Sequence, residues 1–168
     1  TDIQDKMDAV FTDLDNFPGG LGSDGTYPQA SMVLMDPYTG HVLALWGGRG
    51  EKEGDLVLNR ATQTYRSPGS AIKPITVYSP AIEYGLVTPI SVVEDGPKDF
   101  TSRSEGWPYN ENRKWSGQTT IFRGIAQSLN TVAVDLIGKV GVQRSYNWAT
   151  KNLGLTDLVD SMTKTLKD

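Results

Sequence analysis

Apolar positions recur with a helical period over residues 1–16, where Ile3, Met7, Val10, Phe11 and Leu14 fall on one face. This predicts an amphipathic helix ended by Phe17-Pro18-Gly19-Gly20, with a loop over 22–28. The period then changes. Two apolar runs, 30–35 and 41–46, flank Asp36-Pro37-Tyr38-Thr39-Gly40, the pattern of a β-hairpin. The Gly-rich stretch 47–54 lacks the Lys-Ser/Thr ending of a phosphate loop and reads as a turn. A helix is expected from Ser70 to about Tyr84 with Gly85 as its stop, kinked at Pro80, which cannot bond the Thr76 carbonyl.

Residues 86–118 show no sustained period and read as irregular surface structure with short elements. Trp107-Pro108-Tyr109-Asn110 and Trp115 make this stretch aromatic. Such aromatics either line a cleft, which makes Trp107 a candidate substrate contact, or anchor the loop to the core. Three short helices follow. Thr119-Thr120 can cap the first, which carries Ile121, Phe122 and Ile125. The second begins near Thr131 with Val132, Val134, Leu136 and Ile137, and the third carries Val142, Tyr146, Ala149 and Leu153 before Gly154. No internal repeat is present.

Composition narrows the chemistry more than the fold. The 168 residues carry a net charge of −4 without a basic patch, which argues against nucleic acid. With no cysteine, disulfides, thiolate nucleophiles and Cys-based metal sites are excluded. The single histidine, His41, opens an alternating run with its imidazole expected to face outward, so neither a His-based triad nor a metal site is expected. No cofactor is implied. No segment reaches the ~20 apolar residues of a membrane span.

Nucleophilic chemistry is concentrated in Ser67-Pro68-Gly69-Ser70-Ala71-Ile72-Lys73-Pro74. Residues at i and i+3 are neighbours on a helix, so a helix starting at the Pro-Gly break brings the Ser70 hydroxyl to the Lys73 amine. A buried lysine loses its proton readily and can then take one from a hydroxyl. A second S-x-x-K, Ser161 to Lys164, lacks that entry and sits in a polar tail. Farther on, Gln127-Ser128-Leu129-Asn130 places a hydroxyl and an amide together between two helices. Ser128 can shuttle a proton from the lysine to a leaving amine, and Asn130 can hydrogen-bond a peptide backbone. The similar Ser145-Tyr146-Asn147 falls inside the third helix with Tyr146 on the apolar stripe, so its polar side chains are expected on separate faces.

Asn59-Arg60-Ala61, the Ser70 segment, Trp107-Pro108-Tyr109-Asn110 and Ala126-Gln127-Ser128-Leu129-Asn130-Thr131 together resemble the transpeptidase domain of class A penicillin-binding proteins. Asp36-Pro37-x-Thr39-Gly40 and Ala44-x-x-Gly47-Gly48 resemble its first hairpin, and the likeness spans about residues 28–155 in order. The resemblance implies an α/β (α+β) fold of the penicillin-binding/β-lactamase-like kind, an antiparallel sheet flanked by helices, incomplete in this chain. It implies a D-alanyl-D-alanine serine transpeptidase that cross-links peptidoglycan stem peptides and is acylated by β-lactams. Ser70 would be the nucleophile, Lys73 its base and Ser128 the proton relay, with Asn130 and Trp107 binding substrate.

The expected organisation is an N-terminal helix and linker over 1–27 and the N-terminal part of the transpeptidase domain over 28–168. The family's K-[ST]-G motif has no match here, since Thr163-Lys164-Thr165-Leu166 has no glycine. A second fragment carrying it is therefore expected as a partner, supplying the strand that binds the substrate carboxylate and a second oxyanion-hole N–H. The resemblance also implies action at the extracytoplasmic face of the bacterial membrane, with the anchor outside this sequence. A class A β-lactamase is disfavoured because the last glutamate is Glu111, ahead of Ser128 rather than beyond it. A D,D-carboxypeptidase, and a penicillin-acylated sensor or non-catalytic domain of the same fold, remain alternatives.

Overall fold

The computed structural model describes residues 2–97 and 107–158. It resolves into two compact units, residues 1–67 and 68–168.

In the first unit, helix α1 (Asp2–Thr12) is followed by a 3-10 turn, Leu14–Asn16. Of the predicted stripe, Met7 and Phe11 are buried while Ile3, Val10 and Leu14 remain exposed. Strands β1 (Met32–Met35) and β2 (Val42–Trp46) pair antiparallel, with a bulge between Leu34 and Met35. Their turn is held by Asp36, whose carboxylate accepts from the Tyr38 N–H at 2.8 Å, while Gly40 takes the left-handed conformation at φ +72°. His41 is exposed ahead of β2, as its position in the alternation predicted. Met7, Phe11 and Ala44 form a small core against Phe17, Ala30, Leu34 and Trp46.

Gln4 fastens α1 to the sheet, its side-chain carbonyl accepting from Leu45 N–H at 3.0 Å and its amide donating to Leu45 O at 3.1 Å. Gly47 follows β2 because Asn59 lies against it: a Cβ there would stand 2.7 Å from Asn59 Oδ1. The Arg60 N–H closes this contact onto Gly47 O at 2.8 Å. The Gly47 and Asn59-Arg60 patterns, far apart in sequence, are two sides of one packing contact.

The second unit opens with the segment expected to be one α-helix. It is instead a 3-10 turn (Gly69–Ile72), a π turn (Pro74–Tyr78) and then α2 (Ser79–Glu83). The prolines explain the departure. Pro80 has no N–H for the Thr76 carbonyl, and the wider π turn passes the Ser79 N–H back to Pro74 O. The stranded Thr76 carbonyl is bonded by the buried Ser145 hydroxyl at 2.5 Å. Ser145 thus lies in the core as the partner of a broken helix, not merely on a face apart from Asn147. Replacing Ser145 with Ala should destabilise the unit by about 0.5–1.5 kcal/mol, the net contribution of such a hydrogen bond. Thermal unfolding checks this; an unchanged midpoint would mean the carbonyl finds another donor.

Strands β3 (Val92–Asp95) and β4 (Gly117–Thr120) pair antiparallel across the stretch read as irregular. Thr119 belongs to β4, while the Thr120 hydroxyl caps α3 (Ile121–Ala126) by accepting from Arg123 N–H. Helices α4 (Asn130–Val140) and α5 (Val142–Asn147) follow, the latter continuing into a π turn, Trp148–Asn152. Val77, Tyr78, Ala81, Ile121, Leu129, Val132, Leu136 and Val140 form the core of this unit. Of the first helix's apolar residues Ile121 is fully buried, but Phe122 is exposed. The second S-x-x-K, residues 161–164, lies outside the described residues.

Candidate active site

The site is built by four segments of the second unit. Gly69 turns the chain with φ +55°, a conformation glycine adopts without steric cost, and Ser70 enters the 3-10 turn on an exposed stretch. In such a turn, side chains at i and i+3 stand directly in line. The Lys73 N–H donates to Ser70 O, so the two side chains leave one face of the turn. The departure from α geometry therefore aligns the pair more closely than the expected helix would.

Leu129 is an anchor. Its side chain is buried in the core, worth roughly 1.5–3 kcal/mol for a residue of this kind, which leaves its neighbours Ser128 and Asn130 facing outward. Ser128 itself takes φ +53°, uncommon for a non-glycine residue and costing about 1–3 kcal/mol. In that conformation both its carbonyl and its hydroxyl reach Lys73. The Lys73 amine donates to Ser128 O at 2.8 Å, to Ser128 Oγ at 3.0 Å and to Asn130 Oδ1 at 2.5 Å. Asn130 is oriented by its other end, Nδ2 donating to Tyr109 O at 2.6 Å.

Three acceptors around one nitrogen match the three N–H bonds of an ammonium. Two of them, a carbonyl and an amide oxygen, can only accept. The Ser128 hydroxyl alone can reverse and donate to the lone pair of a neutral amine. Burial pushes the Lys73 pKa below its ordinary 10.5, which makes that neutral form accessible. The geometry thus contains a reversible proton path between Lys73 and Ser128.

Lys73, Ser128 and Asn130 are brought together as the motifs suggested. Ser70 precedes Lys73 by one 3-10 turn, with no hydrogen bond from its hydroxyl to Lys73 among the described residues. Trp107 is half-buried and opens the loop whose Tyr109 carbonyl holds Asn130. Among the described residues, no cluster of His, Cys, Asp or Glu could hold a metal ion.

Behind this cluster lie two residues that sequence reasoning missed as part of a site. Asn110, quoted only within Trp107-Pro108-Tyr109-Asn110, is buried and accepts from the Asn130 N–H at 2.8 Å. Its amide donates to Asp95 Oδ1 at 2.8 Å and to Lys114 O at 2.9 Å. Asp95 is fully buried; it also accepts a short bond from the Thr131 hydroxyl and one from Ser116 N–H at 2.7 Å. Burial pushes the Asp95 pKa up, but the bonds from Thr131, Asn110 and Ser116 outweigh it and hold the carboxyl below its ordinary range. The sequence offered little signal, since Asp95 closes the short run Val92-Val93-Glu94-Asp95 just ahead of Gly96-Pro97.

The family model of the penicillin binding protein transpeptidase domain matches residues 30–163. The chain belongs to this family. Penicillin-binding protein 1A of Clostridium perfringens strain 13 is 39% identical over 164 residues, covering 91% of this chain and 24% of that protein. The protein of the same name from Aquifex aeolicus is 37% identical over 133 residues, covering 77% and 18%. The crystal structure of penicillin-binding protein 1A from Haemophilus influenzae matches with a TM-score of 0.63 and 26% identity, over 77% of this chain and 20% of that one. The fold is therefore that of part of such a transpeptidase domain, helices with small antiparallel sheets. The chain spans a quarter or less of the length of these relatives.

Proposed function

We propose that this chain carries the acylating half of a D-alanyl-D-alanine serine transpeptidase site that joins peptidoglycan stem peptides. The observation that carries the reading is the Lys73 amine, held by Ser128 and Asn130 one 3-10 turn from the Ser70 hydroxyl. Ser70 Oγ attacks the carbonyl carbon of the penultimate D-Ala while Lys73 Nζ takes its proton. The peptide C–N bond breaks, and the departing D-Ala amine receives a proton relayed from Lys73 through Ser128 Oγ. An amine of a neighbouring stem peptide then attacks the Ser70 ester and releases the serine. Asn130, and Trp107 at the entrance of its loop, bind the substrate peptide.

β-Lactams follow the same first step, but their leaving amine stays tethered and Ser70 remains acylated. The reading includes action at the extracytoplasmic face of the membrane, beside its polymeric substrate. It also includes a further segment bearing K-[ST]-G, seated beside the first hairpin, where Met32, Val33, Met35, Val42 and Leu43 leave apolar surface exposed.

The test is to treat the full-length protein with penicillin and measure its mass. One adduct is expected, mapping to the peptide that contains Ser70 and lost in Ser70→Ala. An adduct on Ser67, on Ser161 or nowhere would overturn the reading. Turnover of a D-Ala-D-Ala stem peptide with an added amine acceptor separates a transpeptidase from a sensor, which is acylated once and stays so.

A further inference from the structure

The Asp95–Asn110 pair lies behind the site, with no hydrogen bond to Ser70 or Lys73 among the described residues, yet it ends on the backbone of Asn130. Asn130 and Thr131 are the first residues of α4, where N–H groups have no partner within the helix. Leu129, immediately before the helix, offers no side-chain cap. Asn110 supplies the cap from a distant loop, its Oδ1 accepting from Asn130 N–H at 2.8 Å and from Thr131 N–H at 3.5 Å. Asp95 accepts from the Asn110 amide and from the Thr131 hydroxyl through the same Oδ1, and so fixes both sides of that cap. The chain of bonds runs from Asp95 on β3, through Asn110 to Asn130 on α4, and through Asn130 Oδ1 to Lys73.

We infer that Asp95 and Asn110 are positioning residues that set the Ser128-Leu129-Asn130 turn against Lys73. Three observations support a positional role beyond simple filling of space. The capped residue is itself one of the lysine's acceptors. The turn just before it contains Ser128 in a conformation that relaxes unless held from both ends. And the Asp95 carboxylate is fully buried, with one oxygen accepting from both Asn110 and Thr131 at this corner and the other from Ser116 N–H, a costly arrangement for packing alone. Without the cap, α4 frays at its first turn, and the lysine loses the fixed geometry of its acceptors on Ser128 and Asn130.

The inference rests on the transpeptidase reading, and the experiment separates the two. Penicillin acylation of the full-length protein is resolved into the non-covalent dissociation constant and the first-order acylation rate constant. Asn110→Ala and the isosteric Asp95→Asn should each lower the rate constant by at least tenfold, with the dissociation constant changed less than threefold. The pH limb of acylation should also move, because Lys73 has lost ordered partners.

Val140→Ala, which truncates a buried side chain at the far end of α4, serves as a destabilised control away from Asn130 and Lys73; its rate constant should stay within twofold of the parent protein. Rate constants for Asn110→Ala and Asp95→Asn no lower than that control, with an unmoved pH limb, would overturn the inference while leaving the acylation reading intact. An unmodified Asn110 protein that forms no adduct at all would overturn the acylation reading itself. If Asn110→Ala fails to fold, the Asp95→Asn variant, which keeps the side chain's size, decides alone.

Discussion

Lys73→Ala in the full-length protein should reduce the penicillin acylation rate by roughly 10²–10⁴, the usual contribution of a general base. Lys73→Arg should be about as damaging, and that comparison isolates the mechanism. A guanidinium keeps the positive charge and can donate to Ser128 O and Asn130 Oδ1, but it does not give up a proton in proteins. If Lys73 acted only through its charge or by bracing the Ser128 turn, arginine would retain most of the rate. Such retention would remove Lys73 from the role of base.

The pH dependence follows from the same residue. Burial lowers the Lys73 pKa from its ordinary 10.5, so the neutral amine gains population as pH rises through a value below that. Acylation should climb with pH along this limb, and the limb should vanish in both variants. Stability has the same sign: the folded state disfavours the ammonium, so the penalty from this group is largest at low pH and fades as pH rises through the depressed value toward 10.5.

The local motifs were legible because each is a backbone event with a chemical signature. Pro68-Gly69 announces a turn, and Ser70 with Lys73 fits one helical face whether the turn is α or 3-10. The apolar stripe around Tyr146 favours Ser128 over Ser145 as the candidate; in the structure Ser128 meets Lys73, whereas Ser145 bonds Thr76 O. What the apolar period could not convey was how a helix with Pro74 and Pro80 balances its hydrogen bonds. The missing N–H is compensated by a side chain distant in sequence, and no local window contains both. The pairing of β3 with β4 escaped for a similar reason. Gly117-Gln118-Thr119-Thr120 has no strong alternation, and its register with Val92–Asp95 is set across a long connection. Asp95 and Asn110 were invisible as a pair because each alone resembles an ordinary loop polar residue. Only their burial, and their shared reach to the start of α4, distinguishes them.

Asn130→Asp tests the electrostatics of the site with almost no change in shape. The native amide presents a neutral oxygen to the Lys73 amine at 2.5 Å and a donor to Tyr109 O at 2.6 Å. A carboxylate keeps the first contact as an ion pair and turns the second into a meeting of two acceptors. An opposite charge this close favours the ammonium and raises its pKa by about 1–3 units. On the rising limb each unit lowers the neutral fraction tenfold, so acylation at neutral pH should fall by roughly 10–10³. The limb should shift to higher pH by the matching amount, and raising the pH should recover much of the lost rate. Asn130→Ala should behave differently: it removes an acceptor without adding charge, so its rate should drop without an upward shift of the limb. Stopped-flow acylation with a chromogenic β-lactam across pH distinguishes them. If Asn130→Asp slowed acylation equally at every pH, the lost Tyr109 contact would account for its effect, and the neutral lysine would have no part in the first step.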